Sequence, residues 1–222
     1  TMITGRLLLR SAQRQSPENG KLAFEIGKTN ALMYYSLFNG ERHFCRGMEK
    51  TTIMKYLLAL DIGTTAVKGA LFDRGGGILA ESLREYDLLK PAPDWVELDC
   101  DAYWRAVIAV TGHVLKTSGV PPEAIASIGV TSQGETLIVL DRAGRPLRRA
   151  IVWLDNRTQA EADAIGRVFD RDDVYRVTGQ QEIIPSWTAT RILWLKKHEP
   201  DVVARAHKFM LAADYIVFKL TG

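Results

Sequence analysis

The residues best suited to chemistry fall in one short stretch, YLLALDIGTTAVKGALFD, residues 56–73. Asp61 follows the apolar run Leu57, Leu58, Ala59 and Leu60, and Gly63, Thr64 and Thr65 follow after Ile62. A carboxylate in such a place can hold Mg²⁺ directly or through water. A glycine lets the backbone come close to an anion, and threonine hydroxyls and N–H groups donate to phosphate oxygens. Asp61 is therefore the candidate metal ligand, and Gly63, Thr64 and Thr65 are the candidate phosphate turn. The plainer reading is a β-hairpin whose Asp and Thr residues serve only the turn, and the local pattern does not separate the two. Lys68 on the following strand faces phosphate or solvent, and an exposed strand lysine is the commoner case. A second group, Gln133 and Glu135, sits at the end of an apolar stretch, where ligands gather in α/β sheets. Asp155 and Arg157 fit a ligand contact and a structural ion pair equally. Trp153 and Trp194 are expected in the core, and the four histidines have no metal or triad spacing.

These groups need elements to carry them. The apolar run at 57–60 is expected to be a strand buried on both faces. A second strand follows over 66–73 and, after a turn at 74–77, a third antiparallel strand over 78–86. Helical spacing runs over 99–117, with Asp99 or Asp101 as cap and Gly119, Pro121 and Pro122 closing it. Strands are expected at 125–130 and 136–140 and a short extended piece at 150–153. The remainder reads as helices at 158–169 and 172–177, one opening at Pro185 and running to 198, one from Pro200, and apolar segments to the end. Residues 1–53 lack sustained periodicity and are expected to be a poorly ordered extension, with a short helix or strand near 31–38. The opening Thr1-Met2-Ile3-Thr4 is similar to a leader carried by cloning vectors. Gly27-Lys28-Thr29 is not a Walker A loop, because Leu22 stands where that motif needs glycine.

The chain has 222 residues, 46% hydrophobic and 25% charged, which suits a globular α/β domain. Its net charge of +3 is spread without a dense basic block, which argues against a nucleic-acid surface. Two cysteines without CxxC spacing argue against a disulfide scaffold or a zinc site and fit a reducing cytoplasm. No apolar run reaches the ~18 residues of a membrane span.

Taken in order, five segments resemble the FGGY family of carbohydrate kinases. These are Leu60-Asp61-Ile62-Gly63-Thr64-Thr65, the run from Ile128 through Gln133 and Glu135 to Thr136, the Trp-x-Asp-x-Arg block at Trp153, Asp155 and Arg157, the segment from Pro185 through Trp187 and Arg191 to Trp194, and Asp214-Tyr215 with the terminal Leu220-Thr221-Gly222. The resemblance implies a ribonuclease-H-like domain of the actin-like ATPase superfamily, an α/β fold whose mixed sheet opens with three antiparallel strands. It covers residues 54–222 as a partial sugar-side domain. It implies ATP and Mg²⁺ as cofactors, a small sugar or polyol as partner, a cytoplasmic location, and a homodimer as one arrangement open to the whole enzyme. It gives Asp61 to Mg²⁺, Gly63, Thr64 and Thr65 to the ATP phosphates, and Gln133, Glu135, Asp155 and Trp187 to the substrate. Gly134 stands where glycerol kinases have arginine and Ser186 where they have tyrosine, which argues against glycerol. Glu135 stands where xylulokinases have histidine, which argues against D-xylulose. The catalytic base, the second phosphate motif and the adenosine site are expected beyond Gly222, so the chain alone is expected to be inactive. The alternatives are a non-kinase actin-like ATPase and a catalytically inactive sugar-binding fragment.

Overall fold

The computed structural model describes residues 21–25, 32–36 and 55–222. The chain divides into two compact units, 1–51 and 52–222. In the first, β1 (Lys21–Glu25) pairs antiparallel with β2 (Leu32–Ser36). Of the short helix or strand expected near 31–38, the structure has a strand, and its partner was not expected. The rest of the expected disordered extension, with the rejected Gly27-Lys28-Thr29 loop, lies outside the described residues.

The second unit is built on a sheet of β3 (Tyr56–Ile62), β4 (Ala66–Phe72), β5 (Ile78–Glu85) and β7 (Ile125–Ser132), in the order β5-β4-β3-β7. Here β6 is the short strand Glu97–Leu98. The first three strands of the sheet are antiparallel, and β7 lies parallel to β3. Asp73 shapes the β4–β5 turn by accepting from the amides of Gly75 and Gly77 at 2.8 and 2.9 Å. The parallel β7 needs a crossover, and α1 (Cys100–Ser118) supplies it. Asp99 caps α1 through the Asp101 amide, and Gly119 ends it at φ 65°.

α1 lays Tyr103, Ala106, Val107, Val110 and Val114 on Leu58, Leu60, Val67 and Leu71 of the sheet. Only this face of the sheet is covered by other elements among the described residues. The expectation that β3 is buried on both faces is therefore corrected. Leu58 and Leu60 are each 1% exposed, while Leu57 between strands and solvent is 46% exposed. The apolar run reads as continuous, but the strand alternates.

Two departures concern the loops. The strand expected over 136–140 shortens to β8 (Ile138–Leu140), which leaves the main sheet to pair with β10 (Lys208–Met210), while β9 (Ala150–Ile151) pairs with β6. The helices are α2 (Gln159–Gly166), α3 (Arg171–Thr178), α4 (Thr188–His198), α5 (Pro200–Arg205) and α6 (Ala212–Thr221). α4 starts three residues later than Pro185. The Pro185 carbonyl is taken by the hydroxyls of Thr158 and Thr190 at 2.7 and 2.9 Å, so it does not open the helical ladder.

Asp155 settles into the frame that joins these pieces. It is 0% exposed and accepts from the Val96 amide at 2.6 Å and from the Arg157 Nε at 2.9 Å and Nη2 at 2.7 Å. Arg157 also donates to Glu97 at 2.9 Å and lies 3.7 Å from the Trp95 ring centroid. Arg148 bridges Glu97 and Glu199 at 2.5 and 2.7 Å. Of the two roles open to Asp155, the geometry is that of the structural ion pair, and its expected place among the substrate contacts is corrected. Its carboxylate is already used, and burial leaves no path for a hydroxyl.

Two outcomes follow in urea or thermal denaturation of the 222-residue chain. Asp155→Ala leaves the buried Arg157 with Glu97 as its one remaining carboxylate, strips the Val96 amide of its acceptor, and destabilises by about 3–5 kcal/mol. Gly69→Ala puts a methyl 2.3 Å from a Val110 methyl where β4 meets α1, and destabilises by about 1–3 kcal/mol.

Candidate functional site

The turn after β3 is closed tightly. The Gly63 amide donates to the Ala66 carbonyl at 2.9 Å, and a Cβ on Gly63 would sit 2.8 Å from that same oxygen. Glycine is required here by close approach of backbone. The Gly63 carbonyl accepts from the Tyr86 hydroxyl at 2.5 Å, and the Tyr86 amide donates to the Thr65 carbonyl at 3.0 Å. Burial, and then the nearby Asp61, push the Tyr86 phenol upward, so it stays a donor. Thr64 is half-buried and Thr65 is exposed.

Asp61 stands one residue before the end of β3, on the uncovered face. Pairing puts it beside Lys68 of β4 and Thr131 of β7. A groove of about 810 Å³ runs over this face, floored by Ala59, Ala70 and Gly129 and edged by Asp61, Lys68 and Thr131. Lys68 is exposed, as an isolated strand lysine is, yet it stands directly opposite Asp61. The signal was available in the sequence. A turn that pairs residue 62 with 67 must pair 61 with 68, and opposite residues share a face.

Gln133 and Glu135 follow β7. The Gln133 amide donates to the Ile62 carbonyl at 2.9 Å, which seats this loop against the end of β3. The Gln133 side chain donates to the Tyr103 hydroxyl at 2.7 Å, and Tyr103 packs edge-on to Tyr86. Its Oε1 is buried and has no hydrogen-bond partner. Glu135 adopts φ 59°, the left-handed region. Its Oε2 accepts from the Thr188 amide at 2.9 Å and hydroxyl at 2.6 Å, at the first residue of α4. The carboxylate thus caps a helix that Trp187, the N-cap residue, leaves without a side-chain cap. Trp187 is half-buried and next to this contact.

Trp153 corrects an expectation. It is 41% exposed and its indole N–H donates to Thr64 Oγ1 at 2.9 Å. Its own amide donates to the hydroxyl of the buried Thr136 at 3.1 Å. Trp153 therefore links the turn at Gly63–Thr65 to the loop of Gln133 and Glu135. Burial propensity pointed the other way, and the link depends on two segments 89 residues apart. Trp194 is in the core at 6% exposure, edge-on to Trp95. Asp61, Gly63, Thr64, Gln133, Glu135 and Trp153 are joined by these strand pairings and hydrogen bonds, Trp187 adjoins them through Thr188, and Asp155 lies in the frame.

The donor set suits Mg²⁺ brought in on a nucleotide. Among the described residues no three His, Cys, Asp or Glu side chains converge as a metal cage. Mg²⁺ on phosphates needs only one or two carboxylates and keeps water for the rest, and Asp61 meets that requirement. The turn at Gly63 leaves the Thr64 and Thr65 groups at the groove end of β3.

Comparison with known proteins finds carbohydrate kinases. A glycerol kinase of Janthinobacterium sp. (strain Marseille) is 36% identical over 173 residues, covering 76% of this chain and 34% of that protein. A xylulose kinase of Staphylococcus xylosus is 31% identical over 169 residues, again covering 76% of this chain and 34% of that protein. The crystal structure of gluconate kinase from Lactobacillus acidophilus superposes with a TM-score of 0.68 at 31% identity, over 74% of this chain and 33% of that one. The chain spans about a third of the length of the relatives it matches. Among the described residues no helix is long and apolar enough to cross a membrane. Residues 56–222 match the N-terminal domain of the FGGY family of carbohydrate kinases, so the chain belongs to that family, with its actin-like ATPase fold.

Proposed function

We propose that residues 54–222 form the sugar-side region of an ATP-dependent kinase that phosphorylates a hydroxyl of a sugar or polyol in the cytoplasm. The observation that carries this reading is the junction of two loops. The turn at Gly63–Thr65 and the loop at 133–136 meet through Gln133 to Ile62 and through Trp153 to Thr64, which sets an anion-binding turn beside a carboxylate. Asp61 would hold Mg²⁺, and Gly63, Thr64 and Thr65 would hold the phosphates. MgATP, when bound, supplies the phosphoryl group and neutralises the charge that develops on it. Lys68, opposite Asp61, adds a positive charge at the same end of the groove. Glu135 Oε1 has no hydrogen-bond partner among the described residues and would accept from a substrate hydroxyl, while its Oε2 stays on Thr188. Gln133 holds this loop against the end of β3 and against Tyr103, with its Oε1 buried. The Trp153 ring offers a face to substrate C–H groups. No residue of this set is assigned as the base that takes the hydroxyl proton.

The named relatives act on a polyol, a ketose and a sugar acid, so the substrate class is argued from this chain's own residues. Gly134 is exposed, and a Cβ there would meet nothing within 4 Å. The open space favours a carbohydrate longer than three carbons.

Calorimetry of the 222-residue chain against glycerol, ribitol, D-ribulose, D-xylulose and D-gluconate tests the reading. A five- or six-carbon compound should bind more tightly than glycerol. Gly134→Arg fills the open space and should reverse that order, by about tenfold in Kd. Binding of none of the five would sink the proposal. In an enzyme of the relatives' full length, MgATP should bind Asp61→Asn about tenfold more weakly, and Mg²⁺ without nucleotide should give no measurable heat. Tight Mg²⁺ binding in the absence of ATP would remove Asp61 from the role given to it.

A further inference from the structure

The left-handed turn at Glu135 is held from behind by a side chain of α4. Arg191 is 0% exposed, and among the described residues no carboxylate pairs with its guanidinium. It donates through Nη1 to the Glu135 carbonyl and through Nη2 to the Val152 carbonyl at 3.0 Å, and it reaches toward the Asp155 carbonyl at 3.5 Å. Its Nε is buried without a partner. Burial lowers its pKa to about 10, against the opposing pull of Asp155 and Glu135, so it remains charged at neutral pH.

This is an unusual use of a buried cation. A single side chain ties the carbonyls of two loops that are separate in sequence, at Glu135 and at 152–155. Both loops carry groups of the site described above. Glu135 holds a backbone conformation that side chains bearing a Cβ adopt rarely, so something outside the turn must select it. The Arg191 contact falls on the carbonyl of that same residue. The second contact falls on Val152, the residue before Trp153, whose indole reaches Thr64. The diverging donors of a planar guanidinium suit two carbonyls at once, which a compact ammonium on a flexible stem does less well.

We infer that Arg191 is a positioning residue of the substrate loop: it fixes the left-handed turn that aims the Glu135 carboxylate, and it locks that turn to the loop carrying Trp153. The inference deepens the kinase reading and rests on it for the meaning of Glu135. The mechanical part stands separately, because it concerns only which loops the guanidinium holds.

The test is hydrogen exchange by mass spectrometry on the full 222-residue chain, with Arg191→Met and Arg191→Lys beside the parent. The amides of Gln133, Thr136 and Asp155 donate to the Ile62, Gly134 and Val152 carbonyls, and the Trp153 amide to the Thr136 hydroxyl, so both loops contain protected reporters. Arg191→Met should speed exchange about tenfold or more in the peptides covering 133–136 and 152–155 while leaving α1 as it was, and Arg191→Lys should recover part of the protection. Acceleration spread evenly over the chain, α1 included, would mean a general stabilising role and would overturn the inference, as would no change in either loop. Calorimetry with the five-compound panel then reads the consequence. The compound that binds the parent should bind Arg191→Met about tenfold more weakly, with recovery in Arg191→Lys. Unaltered binding with loosened loops would overturn the claim that Arg191 aims Glu135. If the parent binds none of the five, the sugar reading of Glu135 fails, and the exchange pattern still decides whether Arg191 holds the two loops.

Discussion

The site depends on one pairing, that of β3 with β7. The two strands run parallel in a register that sets Asp61 beside Thr131 and Ile62 beside Ser132. Parallel neighbours point the same way, so both chains leave the sheet at the same edge. The turn at Gly63 and the loop at Gln133 are therefore adjacent although some 70 residues of chain separate them. The Gln133 amide extends the pairing by one more bond, to Ile62. An antiparallel arrangement of the same strands would put the two loops at opposite ends. The crossover helix α1 makes the parallel arrangement possible, and its apolar face is what the sheet buries.

Beneath those loops lies a layer of buried charge. Asp155, Arg157, Glu97 and Arg148 form one network, and Arg191 lies beside it with its donors on backbone carbonyls. Taking these charges out of water is costly, and a network of this kind is weak evidence for stability in itself. Its effect here is geometric. Arg157 is stacked on Trp95 and fixed by two carboxylates, and Arg191 holds two loop carbonyls, so the loops rest on a base with few alternative arrangements. The groups on the groove side of these loops can then be exposed without being loose.

The two faces of the sheet divide the labour. The face under α1 is closely packed, to the point that Gly69 has no room for a methyl against Val110. The other face carries the groove, with small residues on its floor and Asp61, Lys68 and Thr131 at one end. Charged side chains on this face keep contact with water, which the packed face would deny them.

Much of this was legible in the residues themselves. Asp99 and Gly119 marked the ends of α1, because capping chemistry is local. The Asp-Ile-Gly-Thr-Thr turn was legible for the same reason, since only glycine fits against the Ala66 carbonyl. The five ordered segments carried the family. Other features were beyond the sequence because they are decided by what lies opposite. Whether Leu57 is buried depends on which elements cover the sheet, and whether Asp155 meets a ligand or Arg157 depends on where the Val96 and Glu97 backbone passes. Trp153 was read as core from its size, but its place is set by Thr64 and Thr136 on two other loops. Arg191 was named only as part of the segment from Pro185 to Trp194, and the packing of α4 is what brings its guanidinium to the carbonyls of Glu135 and Val152. The sequence by itself determined the elements, the tight turn at Gly63 and the family, which rest on neighbours a few residues apart. The tertiary structure decided which polar side chains face the groove and which are spent inside, because a buried polar group is committed by the partner that folding brings to it.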